Sequence, residues 1–316
     1  MNCNLLYKPT LIFSIHPVEK IRQWLAAPDS SRNQNEARNK RHINSCAWFL
    51  EGERFRKWQE NPGFLWVKGK RKSLSSSTLN LHVQHLKRDV VKALYGESAL
   101  PERSNIRIDK TCRLSSSIID ILPEATESLG IAYFFFDGRD SDKELQLHNR
   151  LIRALISQLS DARHGGITEK LADLYKSSGE IQQPSDEQLE NVLCDILDRF
   201  SHVYIMIDAL DECTDREKTL NWVYKLLSDT NHKAANLHIT VTSRPERDIH
   251  KIFTALDPHS IDVGESNTKE IVEYLKLHME SEFTMYDENI RGKILSELEE
   301  HADGSYVYLV LQSIQF

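Results

Sequence analysis

Four short apolar runs punctuate the chain at 64–67, 131–136, 203–207 and 237–242, and a weaker one follows at 260–263. Runs of this length, rich in β-branched and aromatic residues and bounded by turn or polar residues, predict buried strands. Between them the apolar positions change period. Leu147, Leu151, Ile152, Leu155, Ile156 and Leu159 recur at steps of three and four, as do Leu189, Val192, Leu193, Ile196, Leu197 and Phe200, and then Leu220, Val223, Leu226 and Leu227. Each set gives a helix one apolar stripe to lay on a sheet. Strands alternating with helices predict an α/β fold with a mainly parallel sheet flanked by helices.

The ends depart from this rhythm. Trp48, Phe49, Leu50, Phe55 and Trp58 lie at near-helical spacing behind a polar stretch at 28–41, which reads as a linker or a solvated helix. Behind the last run, Asn267 and Glu270 form a cap-like pair ahead of Ile271, Leu275 and Met279, and a second helical pattern starts near Asp287. No strand separates these two. The expected organisation is therefore a tail and helical lead-in at 1–60, an α/β core at 61–265 and a helical appendage at 266–316. Residues 71–111, rich in Ser, Arg and Lys, fit none of it and read as an insertion.

Composition narrows the class. A chain of 316 residues with 40% hydrophobic residues can bury a sizeable core. A net charge of -7 gives no overall electrostatic footprint for nucleic acid or an anionic membrane. The five cysteines are widely spaced without a C-x-x-C pair, which argues against a disulfide framework or a zinc site and fits a reducing compartment. No run of about 18 apolar residues occurs, so no membrane helix is expected. The expectation is a cytoplasmic protein without nucleic-acid or membrane partners.

The chemistry concentrates where two of the runs end. The run at 203–207 leads straight into Asp208, and Asp211 and Glu212 follow three residues later. In an open parallel sheet, ligands bind beyond the carboxyl ends of the strands. Asp208 is thus placed to meet the Mg²⁺ of a nucleotide, an ion that takes few carboxylates and completes its shell with waters and phosphates. Asp211 or Glu212 could polarise an attacking water. The run at 237–242 ends in Thr242-Ser243-Arg244-Pro245, and a strand adjacent to the first would bring Arg244 to phosphate charge.

A phosphate loop needs G-x-x-x-x-G-K-[ST] between a strand and a helix, so that backbone amides can close on the phosphates. Two stretches carry part of it. Lys68-Gly69-Lys70-Arg71-Lys72-Ser73 has one glycine and a Lys-Ser pair, Lys72 and Ser73, but no second glycine. Asp109-Lys110-Thr111 precedes a helix-like segment with a Lys-Thr pair and no glycine. Gly69, Lys72, Ser73, Lys110 and Thr111 are all candidates for phosphate binding, and the sequence does not choose between the two stretches. Either could also be a basic, serine-rich surface loop.

Ile207-Asp208-Ala209-Leu210-Asp211-Glu212-Cys213, followed by Thr242-Ser243-Arg244-Pro245, resembles the NACHT domains of fungal NOD-like receptors, P-loop NTPases of the STAND type similar to the nephrocystin-like N-terminal family. The stretches 24–58, 64–70, 132–137 and 151–159 match the same group in the same order, so the likeness runs over roughly 20–316 apart from 71–111. It implies a P-loop NTPase-type core that binds ATP or ADP with Mg²⁺, acts as a signal-transduction switch of the innate-immunity or self/non-self kind, and assembles into a homo-oligomer through the core. Asp208 would organise Mg²⁺, Asp211 or Glu212 would position water, and Arg244 would sense phosphate.

The same likeness marks two departures. The family-like phosphate loop stops at Lys70, and family-like sequence resumes at Leu114, as if an insertion of the kind a retained intron leaves had split the Walker A loop. The segment beginning at Asp303-Gly304-Ser305 stops at Phe316, short of the regulatory helices and sensor repeats of such proteins. ATPase activity is therefore left open, and the alternative is a pseudo-NTPase or an interaction scaffold that turns over no nucleotide.

Overall fold

A computed structural model describes residues 17–39, 46–69, 110–138, 144–162, 166–179, 181–228, 236–256 and 260–262, with isolated positions 288 and 292. The helical appendage expected at 266–316, apart from those two positions, and the insertion expected at 71–111, apart from its last two residues, lie outside the described residues, as do Lys72 and Ser73.

Five parallel strands form one sheet in the order β2-β3-β4-β1-β5. They are β1 (Gly63–Lys68), β2 (Leu129–Phe135), β3 (His202–Asp208), β4 (Leu237–Ser243) and β5 (Ile261–Asp262). Each falls on one of the apolar runs. β4 is buried along its whole length, the expected state of a central strand in a parallel sheet covered on both faces. Its sequence, Leu-His-Ile-Thr-Val-Thr-Ser, alternates apolar and polar side chains, yet both faces of the strand are buried.

Helices cover the sheet. The three amphipathic patterns become α6 (His148–Asp161), α8 (Asp186–Leu197) and α9 (Arg216–Ser228). Ser185 and Gln188 close a reciprocal capping box at the start of α8, satisfying two backbone donors that a helix N-terminus leaves open. Three helices lie beyond the periodic sets: α5 (Lys110–Ile121), α7 (Glu169–Ser177) and α10 (Arg247–Leu256). α7 is short, with only Leu171 and Tyr175 buried, so it has too few apolar positions to show a stripe.

The lead-in forms α1 (Pro17–Leu25), α2 (Ser31–Asn39), α3 (Ala47–Leu50) and α4 (Glu53–Glu60). Ile21, Trp24 and Leu25 of α1 are part of the same hydrophobic core as the sheet. Arg153, itself buried, donates to the carbonyl of Leu25, and Arg150 donates to that of Ala26. Two guanidinium groups thus sit at the C-terminal end of α1, where helix carbonyls lack partners and cations are favoured. α4 is fixed by its aromatic face: Trp58 stands edge-on to both Tyr204 of β3 and His238 of β4, whose rings stack 4.4 Å apart, and His238 Nδ1–H donates to the Trp58 carbonyl.

β2 is an edge strand, and its backbone is partly covered. The Gln158 carboxamide accepts from the Tyr133 amide at 3.1 Å and donates to the Tyr133 carbonyl at 2.8 Å. One side chain of α6 therefore does for Tyr133 what a neighbouring strand would do, which protects the edge from pairing with another chain. None of the helices among the described residues is long and apolar enough to cross a membrane.

Candidate functional site

The carboxyl ends of β3, β4 and β1 lie side by side. Ile207 is opposite Val241, Val67 is opposite Thr242 and Lys68 is opposite Ser243. Asp208 therefore leaves β3 beside the exit of β4, the adjacency the sequence required. Gly69 follows directly from β1, and its amide donates to the Ser243 carbonyl at 2.9 Å.

Asp208 is fully buried. Its Oδ1 accepts from two hydroxyls, Ser115 Oγ of α5 at 2.5 Å and Thr242 Oγ1 of β4 at 2.6 Å. A buried carboxylate is costly unless such donors meet it. Helix α5 reaches this point because it lies over β3 and β4, and its buried run of Leu114, Ser115, Ser116, Ser117 and Ile118 carries three small residues that let helix and strand ends approach closely. Ser115 is a site residue the sequence reading missed. The signal was three successive serines in a helix-forming segment, a composition that is poor for an exposed helix but useful where it must touch a strand end.

After Asp208 the chain turns sharply. Ala209 takes the left-handed conformation, φ 54° and ψ 45°, which is uncommon for a residue with a Cβ and marks local strain. A three-ten turn at Leu210–Glu212 follows, with Leu210 buried beneath it and the Glu212 amide donating back to the Ala209 carbonyl at 2.9 Å. The turn aims the two acids in different directions. Asp211 accepts the Arg244 amide on Oδ1 at 3.0 Å and the Arg244 guanidinium Nε on Oδ2 at 3.2 Å. Glu212 accepts the Gly138 amide at 2.6 Å, beyond the end of β2, and lies 3.8 Å from the far side of the Arg244 guanidinium. A Cβ at position 138 would meet the Glu212 carboxylate at 3.3 Å, so glycine suits this close approach.

Of the sequence candidates, Asp208, Asp211, Glu212 and Arg244 come together, with Gly69 one strand away. Lys110 and Thr111 open α5, the helix that carries Ser115. Lys72 and Ser73 lie outside the described residues.

The donor set suits a hard cation only in part. Among the described residues no group of three or more His, Cys, Asp or Glu is placed to hold a metal ion. What is present is one carboxylate flanked by hydroxyls at a strand tip. That matches an ion held by one or two carboxylates and by the oxygens of a bound phosphate, as Mg²⁺ is, and does not match a protein-only cage.

Behind the acid turn lies a second buried network. Thr214 donates from both its amide and its hydroxyl to the Gln146 carbonyl. The fully buried His148 donates from Nε2 to Glu190 at 3.1 Å and accepts the Thr219 hydroxyl on Nδ1 at 3.1 Å. Burial holds the His148 imidazole below its ordinary range, against the opposing pull of Glu190. The contact is therefore a hydrogen bond of a neutral ring at pH 7. Burial also pushes the thiol of Cys213, 3.4 Å from Thr219, up to about 11.

No curated protein matches the chain. A family model, nephrocystin 3 N-terminal, matches residues 110–244, less than half of the chain, from the first residue of α5 through Ser115, Asp208 and the acid turn to Arg244 at the exit of β4. Over the residues that build this site, the chain is similar to the nephrocystin 3 N-terminal family.

Proposed function

We propose that the chain is a NACHT-like signalling domain that binds ATP or ADP with Mg²⁺ at the carboxyl edge of its sheet. The observation that carries this reading is Asp208. It is a fully buried carboxylate at the end of a parallel strand, held between hydroxyls from α5 and from the neighbouring strand. Bound Mg²⁺ would neutralise phosphate charge there. Asp208, with Ser115 or Thr242 beside it, is the residue to hold the ion. Asp211 and Glu212 lie beyond it on the same turn, where one of them would orient water, and Arg244 is close enough to exchange its carboxylate partners for a phosphate.

The family match over 110–244 supports the reading at the level of a NACHT-associated group. The fungal NOD-like receptor assignment, the STAND-type switch and assembly through the core are part of the same proposal.

A second reading has its own support. Between Lys68 and Leu114 the sequence contains no G-x-x-x-x-G-K-[ST]. Without that loop most of the amides that stabilise β- and γ-phosphates are missing, and loss of even one such preorganised donor slows reactions by roughly 10²–10³. A domain that binds nucleotide weakly, or serves only as an interaction scaffold, fits this feature better than a competent ATPase.

Thermal denaturation in the presence of Mg-ADP and Mg-ATP separates binding from its absence. A ligand at a hundred times its dissociation constant adds about 2.7 kcal/mol to stability, so a nucleotide site gives a clear upward shift of the midpoint. No shift with either nucleotide at millimolar concentration overturns the binding reading and leaves the scaffold.

A further inference from the structure

We infer that Thr242 is a positioning residue whose single hydroxyl fixes Asp208 and the acid turn behind it as one unit. Its link to nucleotide rests on the reading above, but its geometry does not.

A threonine hydroxyl has one proton to give and two lone pairs. Here both capacities are used on consecutive residues of the same neighbouring strand end. The Ala209 amide donates to Thr242 Oγ1 at 3.0 Å. An amide can only donate, so the hydroxyl must accept there, and its one proton is directed to Asp208 Oδ1 at 2.6 Å. Ser115 reaches the same carboxylate oxygen from α5, but its hydroxyl is not bonded to Ala209.

The Ala209 amide is the one that needs fixing. It belongs to the residue in the left-handed conformation, which persists only where its surroundings over-determine it. From Ala209 the turn closes through the Glu212 amide, and Asp211 and Glu212 take their directions from it. Two residues after Thr242, the Arg244 amide binds Asp211. The exit of β4 thus grips the segment from Asp208 to Asp211 at two points.

Thr242 is also well suited to hold still. It is fully buried, and its branched Cβ restricts χ1. Its methyl and hydroxyl cannot exchange places without breaking the bond to Asp208 and taking from the Ala209 amide the acceptor it has here.

The test is amide hydrogen exchange over residues 209–213 in the nucleotide-free chain, comparing wild type with Thr242→Val, Thr242→Ser and Ser115→Ala. Thr242→Val keeps the shape and loses the hydroxyl, and exchange in this segment is expected to quicken by roughly five-fold or more, the scale of one net hydrogen bond. Thr242→Ser restores the slow exchange. Ser115→Ala leaves the segment near wild type, because its hydroxyl bonds Asp208 and not the amide of Ala209. Unchanged exchange in Thr242→Val overturns the proposal, and so does Thr242→Ser exchanging as fast as Thr242→Val, since packing rather than the hydroxyl would then be responsible. If Thr242→Val does not fold, the wild-type Ala209 amide decides: slow exchange is expected, and an unprotected amide contradicts the proposal. No nucleotide enters this measurement, so its failure is distinct from a failure of the nucleotide reading, which the thermal titration reports.

Discussion

Arg244 lies across Asp211, with its backbone amide 3.0 Å from Oδ1 and its guanidinium Nε 3.2 Å from Oδ2. The Asp211 side chain is only 7% exposed and that of Arg244 is 35% exposed. The pair is thus asymmetric: removing the arginine leaves a mostly buried carboxylate with its backbone donor alone. Arg244→Ala is expected to lower unfolding stability by about 1–2 kcal/mol, the range for losing a hydrogen bond to a charged group that water can partly replace. Urea denaturation checks it. An unchanged midpoint would mean that the guanidinium adds nothing to the turn.

Arg153 presents a more severe case. It is 4% exposed and supports the end of α1 through the Leu25 carbonyl and the Gln183 side chain. Arg153→Met keeps much of the volume but strands that carbonyl, and a loss of about 2–4 kcal/mol is expected by urea denaturation. A loss below that of Arg244→Ala would show that α1 is held by its apolar face, Ile21, Trp24 and Leu25, without help from the capping arginine.

Gly130 tests packing. A Cβ there would lie 2.8 Å from Leu159 Cδ2 and 3.3 Å from the Phe200 ring. Both neighbours are core residues, so they have little room to retreat. Gly130→Ala is expected to destabilise the fold by about 1–3 kcal/mol through overpacking. A neutral result by the same denaturation assay would show that α6 and β2 can move apart.

The pH dependence has a defined sign. Burial holds both His148 and His238 below the ordinary histidine range. In the unfolded chain each takes up its proton near pH 6.5, while the folded protein resists until lower pH. Their contribution to stability is complete above about pH 6.5 and is lost as pH falls through the depressed folded values. The denaturation midpoint should therefore drop between pH 7 and pH 5.5, and His238→Gln should flatten the drop. A midpoint that is level or rising over this window contradicts the neutral, buried assignment of both rings. Asp29 acts in a lower window, since the hydroxyl and amide of Ser31 hold its carboxyl below the usual range.

Cys213 should be inert in the folded state. It is 5% exposed and its thiol is pushed up to about 11, so little thiolate exists at pH 8. Alkylation at pH 8 followed by peptide mass mapping should leave Cys213 unmodified until the chain is denatured. Rapid labelling of the native protein would place Cys213 outside the core.

Much of this was legible in the chain because buried parallel strands announce themselves. The runs at 64–67, 131–136, 203–207 and 237–242 are short, rich in β-branched and aromatic residues and largely buried, and all four became strands. The acid turn was legible because Asp208, Asp211 and Glu212 follow a strand directly. The pairing of Arg244 with Asp211 depends on which strands neighbour each other, and that order is not written in any local pattern. Ser115 was harder still: it lies 93 residues from Asp208, and nothing in a serine run names its partner. The roles of α1 and α2 were hidden for a different reason. α2 is polar along most of its length, with only Gln34 and Ala37 buried, so periodicity could not separate a docked helix from a linker.

Isothermal titration of ADP, with and without Mg²⁺, into the wild-type chain and into Asp208→Asn tests the proposed function most directly. The expected result is binding to wild type that strengthens with Mg²⁺, and binding to Asp208→Asn that does not respond to Mg²⁺. Equal Mg²⁺ dependence in both chains, or no heat of binding in the wild type at millimolar ADP, would contradict a nucleotide site organised by Asp208.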